Sequence, residues 1–297
     1  MGMRFKGHKI MGDPIKALVI GGMNIDILGV PSGDYRPGDS IPGAIRCTVG
    51  GVGFNIASRL AESGTAVTFV TVFGKDFFVH FAEAACLSLG LDTSLSLKAD
   101  GPSPMYMAIH HQDGAMAAAV NDMASMSTLT PSHLQAQKDK LAGLFDVCVM
   151  DANLLHATIQ AIPRLVSAPI LADAVSVEKG RRLFPVLSRL TAIKPNAMEA
   201  LSLSGGKDIP SAANWFLRQG VQQVYISLGK EGLYFASAEG SGHLSPGRVI
   251  SAPSTGAGDA MSSGLAQGIA HGEPTENTAK MGLAAAEKYL MRKSVEV

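Results

Sequence analysis

A short glycine-rich stretch near the end of the chain, Ser-Thr-Gly-Ala-Gly-Asp at residues 254–259, has the residue types needed for phosphate chemistry. It opens a run of small and apolar residues without a charge, Ala260 to Ala270, which indicates a buried helix. Glycines ahead of a helix let backbone N–H groups approach an anion, and the helix dipole adds positive potential there. Asp259 would lie in the first turn, where a carboxylate can accept a proton during phosphoryl transfer.

Asp259 also has a purely structural interpretation. An acid in the first turn of a helix commonly only compensates the dipole and caps the helix. The predicted burial of the helix favours a functional role, because a carboxylate brought into a cleft usually has a partner or a chemical task. The hexapeptide alone leaves both interpretations open.

Two earlier stretches place polar side chains beside a predicted strand end and a predicted helix start. Asn24 and Asp26 follow a short apolar strand, Ala17 to Ile20, at the edge where open α/β sheets bind ligands. Residues 50–55, Gly-Gly-Val-Gly-Phe-Asn, lead into an amphipathic helix and bring the amide of Asn55 to its beginning. A plain Asx turn also explains the first stretch, and close helix packing also explains the glycines of the second.

A further helix start combines Asn196 and Glu199, which share a helix face because they are three residues apart. That arrangement suits a Mg²⁺ ion held through its waters beside phosphates. The same spacing is typical of a capping box, in which the two residues only satisfy N–H groups at the helix terminus. Gly229 and Gly232 follow a predicted strand, Val224 to Ser227, and indicate either a phosphate contact or a hairpin turn.

The composition favours small-molecule chemistry over binding to nucleic acid or membranes. The 297 residues contain 25 basic and 25 acidic side chains, so no net charge attracts a polyanion or a membrane surface. No apolar run reaches the ~18 residues of a membrane span. The cysteines Cys47, Cys86 and Cys148 are far apart and odd in number, which argues against disulfides and structural zinc and favours the cytoplasm.

The order of predicted elements indicates an α/β fold with a mostly parallel sheet. Two segments, at about 27–49 and 103–123, interrupt the alternation with turn-rich, hairpin-like sequence and predict a small β lid over the ligand edge of the sheet. Exposed edges of such a lid invite pairing with a second copy, so a homodimer through the lid is expected. Neither a dinucleotide fingerprint nor a Walker sequence is present, so any nucleotide must be held by a different scheme.

Four stretches resemble, in order and spacing, the motifs of the ribokinase-like, or PfkB, kinases of sugars and nucleosides. They are Gly-Gly-Met-Asn-Ile-Asp at 21–26, Gly-Gly-Val-Gly-Phe-Asn at 50–55, Lys-Pro-Asn-Ala-Met-Glu at 194–199 and Ser-Thr-Gly-Ala-Gly-Asp at 254–259. The resemblance covers nearly the whole chain and implies a single kinase domain, residues 1–297. It implies a three-layer α/β sandwich with a mostly parallel central sheet and a small β lid, and an enzyme that uses ATP and Mg²⁺.

The resemblance also implies a role for each candidate residue. Asp259 would be the catalytic base that takes the proton of the acceptor hydroxyl, and Asp26 and Asn55 would bind ribose hydroxyls. The full assignment is an anion hole of Gly256, Ala257 and Gly258, a substrate pocket of Asn24, Asp26, Gly51 and Asn55, an ATP site of Asn196, Ser227, Gly229 and Gly232, and a Mg²⁺ water shell ordered by Glu199.

Within the family the chain most resembles the pseudouridine kinases, through Asn-Asp-Met at 121–123, Asp-Ala-Asn at 151–153 and the residues around Asp259. The expected acceptor is then the 5′-hydroxyl of pseudouridine. Asn121 is the candidate partner for the extra ring N–H of that base, and a plain turn residue is the alternative. Two other classes stay open: a kinase of uridine, adenosine, ribose or a fructose-type sugar, and a non-catalytic ligand sensor, which would be expected to lose the base.

Two features depart from the family pattern. Pro253 stands where many relatives have a polar residue, in the loop that binds an activating monovalent cation, and proline lacks an N–H; a K⁺ requirement therefore stays open. Relatives usually continue beyond the position of Val297, so the far wall of the adenine pocket is expected to be missing or built differently.

Overall fold

The computed structural model describes residues 14–248, 250 and 255–295, in which strands and helices alternate. The strands are β1 (Lys16–Ile20), β2 (Asn24–Pro31), β3 (Gly43–Gly50), β4 (Ala66–Val70), β5 (Val72–Phe73), β6 (Leu97–Lys98), β7 (Met105–His110), β8 (Met116–Asp122), β9 (Val147–Asp151), β10 (Ile170–Asp173), β11 (Ala192–Lys194), β12 (Gln223–Ser227), β13 (Leu233–Ser237) and β14 (Gly240–Leu244).

The helices lie between these strands and after the last of them. They are α1 (Val52–Glu62), α2 (Phe78–Ser88), α3 (Pro131–Ala136), α4 (Lys138–Leu141), α5 (His156–Leu165), α6 (Val177–Gly180), α7 (Ala197–Ser204), α8 (Ile209–Arg218), α9 (Ala257–His271) and α10 (Thr275–Val295). Short 3₁₀ segments cover Ala124–Thr128, Arg181–Arg189 and Gly229–Glu231. No helix in these described ranges is long and apolar enough to cross a membrane.

An eight-stranded sheet forms the centre of the fold, in the order β14-β13-β12-β11-β10-β9-β1-β4. The strands from β4 to β12 in that order are all parallel, and β13 and β14 add an antiparallel edge. The central strands are continuous apolar runs because both faces of a parallel sheet are covered; β9, for example, is buried throughout. The sheet therefore collects several strand ends at one carboxyl edge.

Helices cover both faces of this sheet, which gives the three-layer arrangement expected from the sequence. One face packs against α1, α2, α9 and α10, with Ile56, Leu60 and Leu265 in its core. The other face packs against α5, α7 and α8, with Ile159 and Phe216 in its core. Since β1 and β9 are interior strands with a neighbour on each side, the residues that follow them are held rigidly from both sides.

A second sheet of four strands, in the order β3-β2-β7-β8, forms the lid. Asp26 lies opposite Thr48 on one side and Tyr106 on the other, and Tyr106 lies opposite Asn121. Residues that are paired across neighbouring strands share a face of the sheet, so Asp26 and Asn121 are on the same face. The small separate sheet predicted from the two turn-rich segments is thus present.

The residue pattern predicts one strand from Ala66 to Val72, and this prediction was wrong. The segment is divided into β4 and β5, and β5 pairs with β6 in a small separate sheet. The break falls at Thr71, whose backbone N–H donates to Ser96 Oγ (3.0 Å) instead of a strand carbonyl. The interruption turns the chain away from the main sheet immediately beside β1.

Candidate active site

The first turns of α1 and α9 meet at the carboxyl edge of the main sheet, and Asp259 lies between them. Gly256 is the N-cap residue of α9 and has a left-handed backbone conformation with φ of 88°. Asp259 Oδ2 accepts a hydrogen bond of 2.8 Å from Asn55 Nδ2 on α1. Gly256 has no side chain to cap α9, and Asp259 is the acidic residue of the first turn. Compensation of the helix dipole therefore stays open beside the role of base.

The pKa of Asp259 is raised to about 7, first by burial and then by the neighbouring carboxylate of Asp173, with a smaller contribution of the same sign from Asp151. The ammonium group of Lys194 and the hydrogen bond from Asn55 act in the opposite direction. A group whose pKa lies close to neutral both takes up and releases a proton readily at physiological pH, which suits a general base.

The turn that precedes α9 has backbone N–H groups positioned for an anion. In this turn the first intrahelical hydrogen bond runs from the Ala260 N–H to the Gly256 carbonyl (3.0 Å), so the preceding N–H groups of Ala257 and Gly258 have no helical acceptor. Tyr289 Oη on α10 donates to the Thr255 carbonyl (2.8 Å). A Cβ added at Gly256 would lie 2.5 Å from Tyr289 Oη. Tyr289, which sequence reasoning did not identify, thus braces the turn from behind.

A buried ion pair that the sequence did not reveal lies beneath this turn. Lys194 Nζ contacts Asp173 Oδ2 at 2.9 Å, with side chains only 7% and 4% exposed. Ser262 Oγ on α9 donates to the same carboxylate oxygen (2.9 Å), and Lys194 Nζ is 3.4 Å from the Gly258 carbonyl. The position of the two residues at strand ends could have indicated the pair: Asp173 and Lys194 end two adjacent parallel strands and lie directly opposite each other.

Asp151, at the end of β9, is a second buried acid at this edge. Its two oxygens accept hydrogen bonds from the backbone N–H groups of Gly22 and Asn153, both at 2.8 Å. Burial raises its pKa to about 6, against the effect of these hydrogen bonds. A Cβ at Gly21 would overlap the Asp151 carboxylate, so the glycine pair after β1 permits this close approach.

On the predicted substrate side, Asn24 and Asp26 contact each other at the junction of the main sheet and the lid. Asn24 Nδ2 donates to Asp26 Oδ1 at 2.5 Å, and partial burial raises the pKa of Asp26 while this hydrogen bond opposes the shift. A Cβ at Gly50 would overlap the Asp26 carboxylate, and Gly51 has a φ of 98°. The glycines before α1 therefore permit close packing against Asp26 and the backbone around Met23.

On the proposed nucleotide side, Asn196 and Glu199 form a complete capping box at the start of α7. The Asn196 backbone N–H and Nδ2 donate to the two Glu199 carboxylate oxygens, each at 2.8 Å, and the Glu199 N–H donates to Asn196 Oδ1 at 2.9 Å. The structural alternative is thus present, and both carboxylate oxygens already accept a hydrogen bond. Asn196 also pairs with Ser227 in an isolated β-bridge, which brings these two residues together.

Gly229 is the first residue of a 3₁₀ turn between β12 and β13, and Gly232 directly follows that turn; their φ angles are 60° and 100°. The Leu228 N–H donates to the Gly232 carbonyl (2.8 Å), so the hairpin-turn interpretation is also present. Gly229 has open space where a side chain would be. Pro253 and Ser254 lie outside the described residues.

Comparison with known proteins shows the family of this chain. Residues 15–295 match the family model described as pfkB family carbohydrate kinase. A pseudouridine kinase of Escherichia coli strain K12 is 31% identical over 265 residues, which cover 86% of this chain and 84% of that protein.

Solved structures give the same fold. A carbohydrate kinase from Agrobacterium tumefaciens has a TM-score of 0.81 and 30% identity, covering 92% of this chain and 89% of that one. An Arabidopsis thaliana ribokinase complexed with ribose and ATP has a TM-score of 0.77 at 19% identity, with 92% and 91% covered. The chain is therefore an ATP-dependent phosphotransferase that belongs to the pfkB family of carbohydrate kinases.

Proposed function

We propose that this kinase phosphorylates the 5′-hydroxyl of pseudouridine, giving pseudouridine 5′-phosphate and ADP. The observation that carries the proposal is the position of Asp259, a largely buried carboxyl at the start of α9 with a pKa of about 7, hydrogen-bonded to Asn55. The similarity to the E. coli pseudouridine kinase over most of both chains supports the choice of acceptor.

In the proposed reaction the acceptor oxygen attacks the γ-phosphorus of ATP, the bond to the β-phosphate oxygen breaks, and Asp259 takes the hydroxyl proton. Asn55 holds Asp259 until the acceptor hydroxyl replaces this contact. The N–H groups of Gly256, Ala257 and Gly258 bind the equatorial oxygens of the transferred group, whose charge spreads in a loose transition state. The protein thus contributes positioning and charge stabilisation rather than a covalent intermediate.

The nucleotide is proposed to lie against Asn196, Ser227, Gly229 and Gly232, with Mg²⁺ near Glu199. Mg²⁺ usually keeps several waters and takes one or two carboxylates together with substrate phosphates. The Glu199 carboxylate, 5% exposed and fixed on both oxygens, fits an indirect role through such a water better than direct ligation. Bound there, the ion would neutralise phosphate charge.

Recognition of pseudouridine is proposed to depend on Asn121. It lies on the same lid face as Asp26, one strand beyond Tyr106, so a nucleoside whose ribose contacts Asp26 would extend its base along this row. A pocket that hydrogen-bonds a polar edge discriminates strongly against an analogue lacking it. Pseudouridine has a ring N–H that uridine lacks, and an amide oxygen can accept it.

Asn121→Ala is therefore expected to lower kcat/KM for pseudouridine by roughly tenfold, the size of one neutral hydrogen bond, and to leave uridine turnover nearly unchanged. Asp122→Asn is the matched control, because Asp122 is adjacent to Asn121, faces the other side of the strand and is exposed. An equal loss for both nucleosides would remove Asn121 from base recognition. Mass and ³¹P NMR analysis of the product would test phosphorylation at the 5′ position.

The lid is proposed to close over bound nucleoside and to order on binding. Residues 105–120 are expected to exchange amide hydrogens more slowly when the acceptor is present, since closure shields a sheet that is largely exposed here. Strand β9, buried throughout, is the internal control and should not change. Exchange at 105–120 that is insensitive to every phosphorylated acceptor would contradict lid closure.

The lid is also proposed to join two copies of the chain. Its face opposite Asp26 carries Met107 and Val120 in one row and Ile45 in the next, with exposed fractions of 49%, 71% and 79%. An apolar sheet face of this kind favours pairing with another sheet. Gel filtration over a range of concentrations measures the association, and Ile45→Lys should weaken it.

A kinase of another nucleoside or of a sugar is the second candidate, since it would keep the phosphate-side residues and differ in the lid. The presence of Asp259 favours both kinase candidates over a ligand sensor. Cys47, Cys86 and Cys148 are free thiols, which supports a proposed cytoplasmic location.

A further inference from the structure

Lys194 is a buried cation in contact with the turn that carries the proposed base. It is 6% exposed, so it cannot reach solvent, and its Nζ lies 3.4 Å from the Gly258 carbonyl. A Cβ added at Gly258 would be 3.1 Å from this nitrogen, so the turn packs directly on the ammonium group. A buried lysine without a carboxylate partner would lose its charge or destabilise the fold.

Asp173 supplies that partner and is itself held by three donors. Its Oδ2 accepts from Lys194 Nζ and from Ser262 Oγ, both at 2.9 Å, while its Oδ1 accepts from the Val175 backbone N–H at 3.0 Å. Lys194 and Ser262 belong to β11 and α9, so the carboxylate ties the catalytic helix to the sheet. Because hydrogen bonds hold both oxygens of the Asp173 carboxylate, the buried ion pair is fixed in a single orientation.

The backbone beside Asp173 gives an independent indication of function. Val175 has a φ of 63°, a left-handed conformation that a β-branched residue rarely adopts. Backbone strain of this kind persists only where surrounding contacts fix it, and it concentrates at functional sites. Here the strained residue donates the hydrogen bond that orients the Asp173 carboxylate towards Lys194.

The charges that influence Asp259 come from three neighbouring strands. Asp173 on β10 and Asp151 on β9 raise its pKa, while Lys194 on β11 and the Asn55 hydrogen bond from α1 lower it. Burial alone would lower the pKa of Lys194, but the carboxylates of Asp173 and Asp259 outweigh this effect and raise it. Lys194 thus stays charged and offsets the carboxylates of Asp173 and Asp259.

We propose that the Lys194–Asp173 pair positions the catalytic turn: Lys194 holds the Gly258 carbonyl and favours the ionised form of Asp259, and Asp173 holds Lys194 in place. Both side chains are buried, so both act through the turn and not by contact with substrate. The inference rests on the proposed role of Asp259 as base. It adds a source of positive potential behind the anion hole that does not depend on Mg²⁺.

The test uses the opposite charges of the two residues. Lys194→Met removes the cation and is expected to raise the pKa of Asp259, so the acidic limb of the kcat/KM profile moves to higher pH. Asp173→Asn removes a carboxylate, keeps the shape, and is expected to move that limb to lower pH, each by about one pH unit. Ser262→Ala removes only a neutral donor and should move the limb far less.

A purely structural role would lower thermal stability and rate in both variants without moving the limb in opposite directions. Such a result, or shifts of the same sign, would overturn the proposal. If either single variant fails to fold, the double variant Lys194→Met with Asp173→Asn serves, because it leaves no unpaired buried charge. The acidic limb of the kcat/KM profile of the double variant should lie close to that of the wild type, while its turnover is reduced at least tenfold. Turnover equal to that of the wild type would overturn the proposal.

The titration of Asp259 can also be measured without any acceptor. Protein labelled with ¹³C at the aspartate carboxyls gives a signal for Asp259 that is assigned by its loss in Asp259→Asn. Opposite shifts in this signal support the pair's role even if no tested acceptor is phosphorylated. Unshifted titration together with active turnover rejects this inference and leaves the proposed function standing.

Discussion

Asp259→Asn is expected to fold and to bind ATP but to lose turnover by roughly 10²- to 10⁴-fold, the range attributed to general base catalysis. The amide has the same shape and cannot accept the hydroxyl proton. The measurement is the single-turnover rate with saturating ATP and acceptor. Retention of more than about a tenth of the wild-type rate, a cost below ~1.4 kcal/mol, would remove Asp259 from the role of base.

The thermal stability of the same variant separates this role from dipole compensation. The folded-state pKa of Asp259, about 7, lies above its ordinary value of 3.8, so the fold favours the protonated form. Ionisation therefore costs stability progressively as pH rises from about 4 to about 7, and this cost persists above pH 7. At pH 8 the neutral variant should melt at an equal or higher temperature than the wild type. If Asp259 only compensated the helix dipole, its charge would stabilise the fold, and the neutral variant would melt at a lower temperature than the wild type.

Gly256→Ala is expected to reduce kcat by about 10²-fold or more, comparable to removing one donor of an oxyanion hole. The residue has a φ of 88°, and an added Cβ would lie 2.5 Å from Tyr289 Oη, so the turn must shift. Because Tyr289 also holds the Thr255 carbonyl, the shift passes into the anion hole.

Gly272→Ala is the matched control at the other end of the same helix. Gly272 also has a left-handed φ, 69°, but nothing lies within 4 Å of the position a Cβ would take. Both variants pay the cost of a left-handed alanine, about 1–2 kcal/mol. Only Gly256→Ala should lose turnover in the folded protein. Equal turnover in the two folded variants would contradict the anion-hole assignment.

The fold class was predictable because its signals are local. Apolar runs such as Ala17 to Ile20 indicate buried parallel strands, and residues 27–49 and 103–123 are rich in turns. The end of a predicted strand placed Asn24 and Asp26 at the ligand edge of the sheet, and the family resemblance implied that Asn55 belongs to the same pocket. The structure brings Asp26 to Asn24 and Asn55 to Asp259.

The contacts within the site depend on register and distance, which local patterns do not contain. The Lys194–Asp173 pair needs the alignment of β10 with β11, and the brace of Tyr289 on Thr255 joins residues 34 positions apart. Asn196 and Glu199 show the converse. Their spacing is equally typical of a capping box and of a site near Mg²⁺. The capping box is observed, and it neither supports nor opposes a role of Glu199 near Mg²⁺.

The most direct test of the central claim is an ADP-release assay that compares kcat/KM for pseudouridine, uridine, adenosine, ribose and fructose with the same purified protein and saturating ATP and Mg²⁺. We expect the highest kcat/KM for pseudouridine, with uridine at least tenfold lower, and a loss of roughly 10²- to 10⁴-fold in Asp259→Asn. A higher value for ribose or adenosine would contradict the assignment of the acceptor while leaving the kinase in place. Failure to phosphorylate pseudouridine at all would contradict the proposed function.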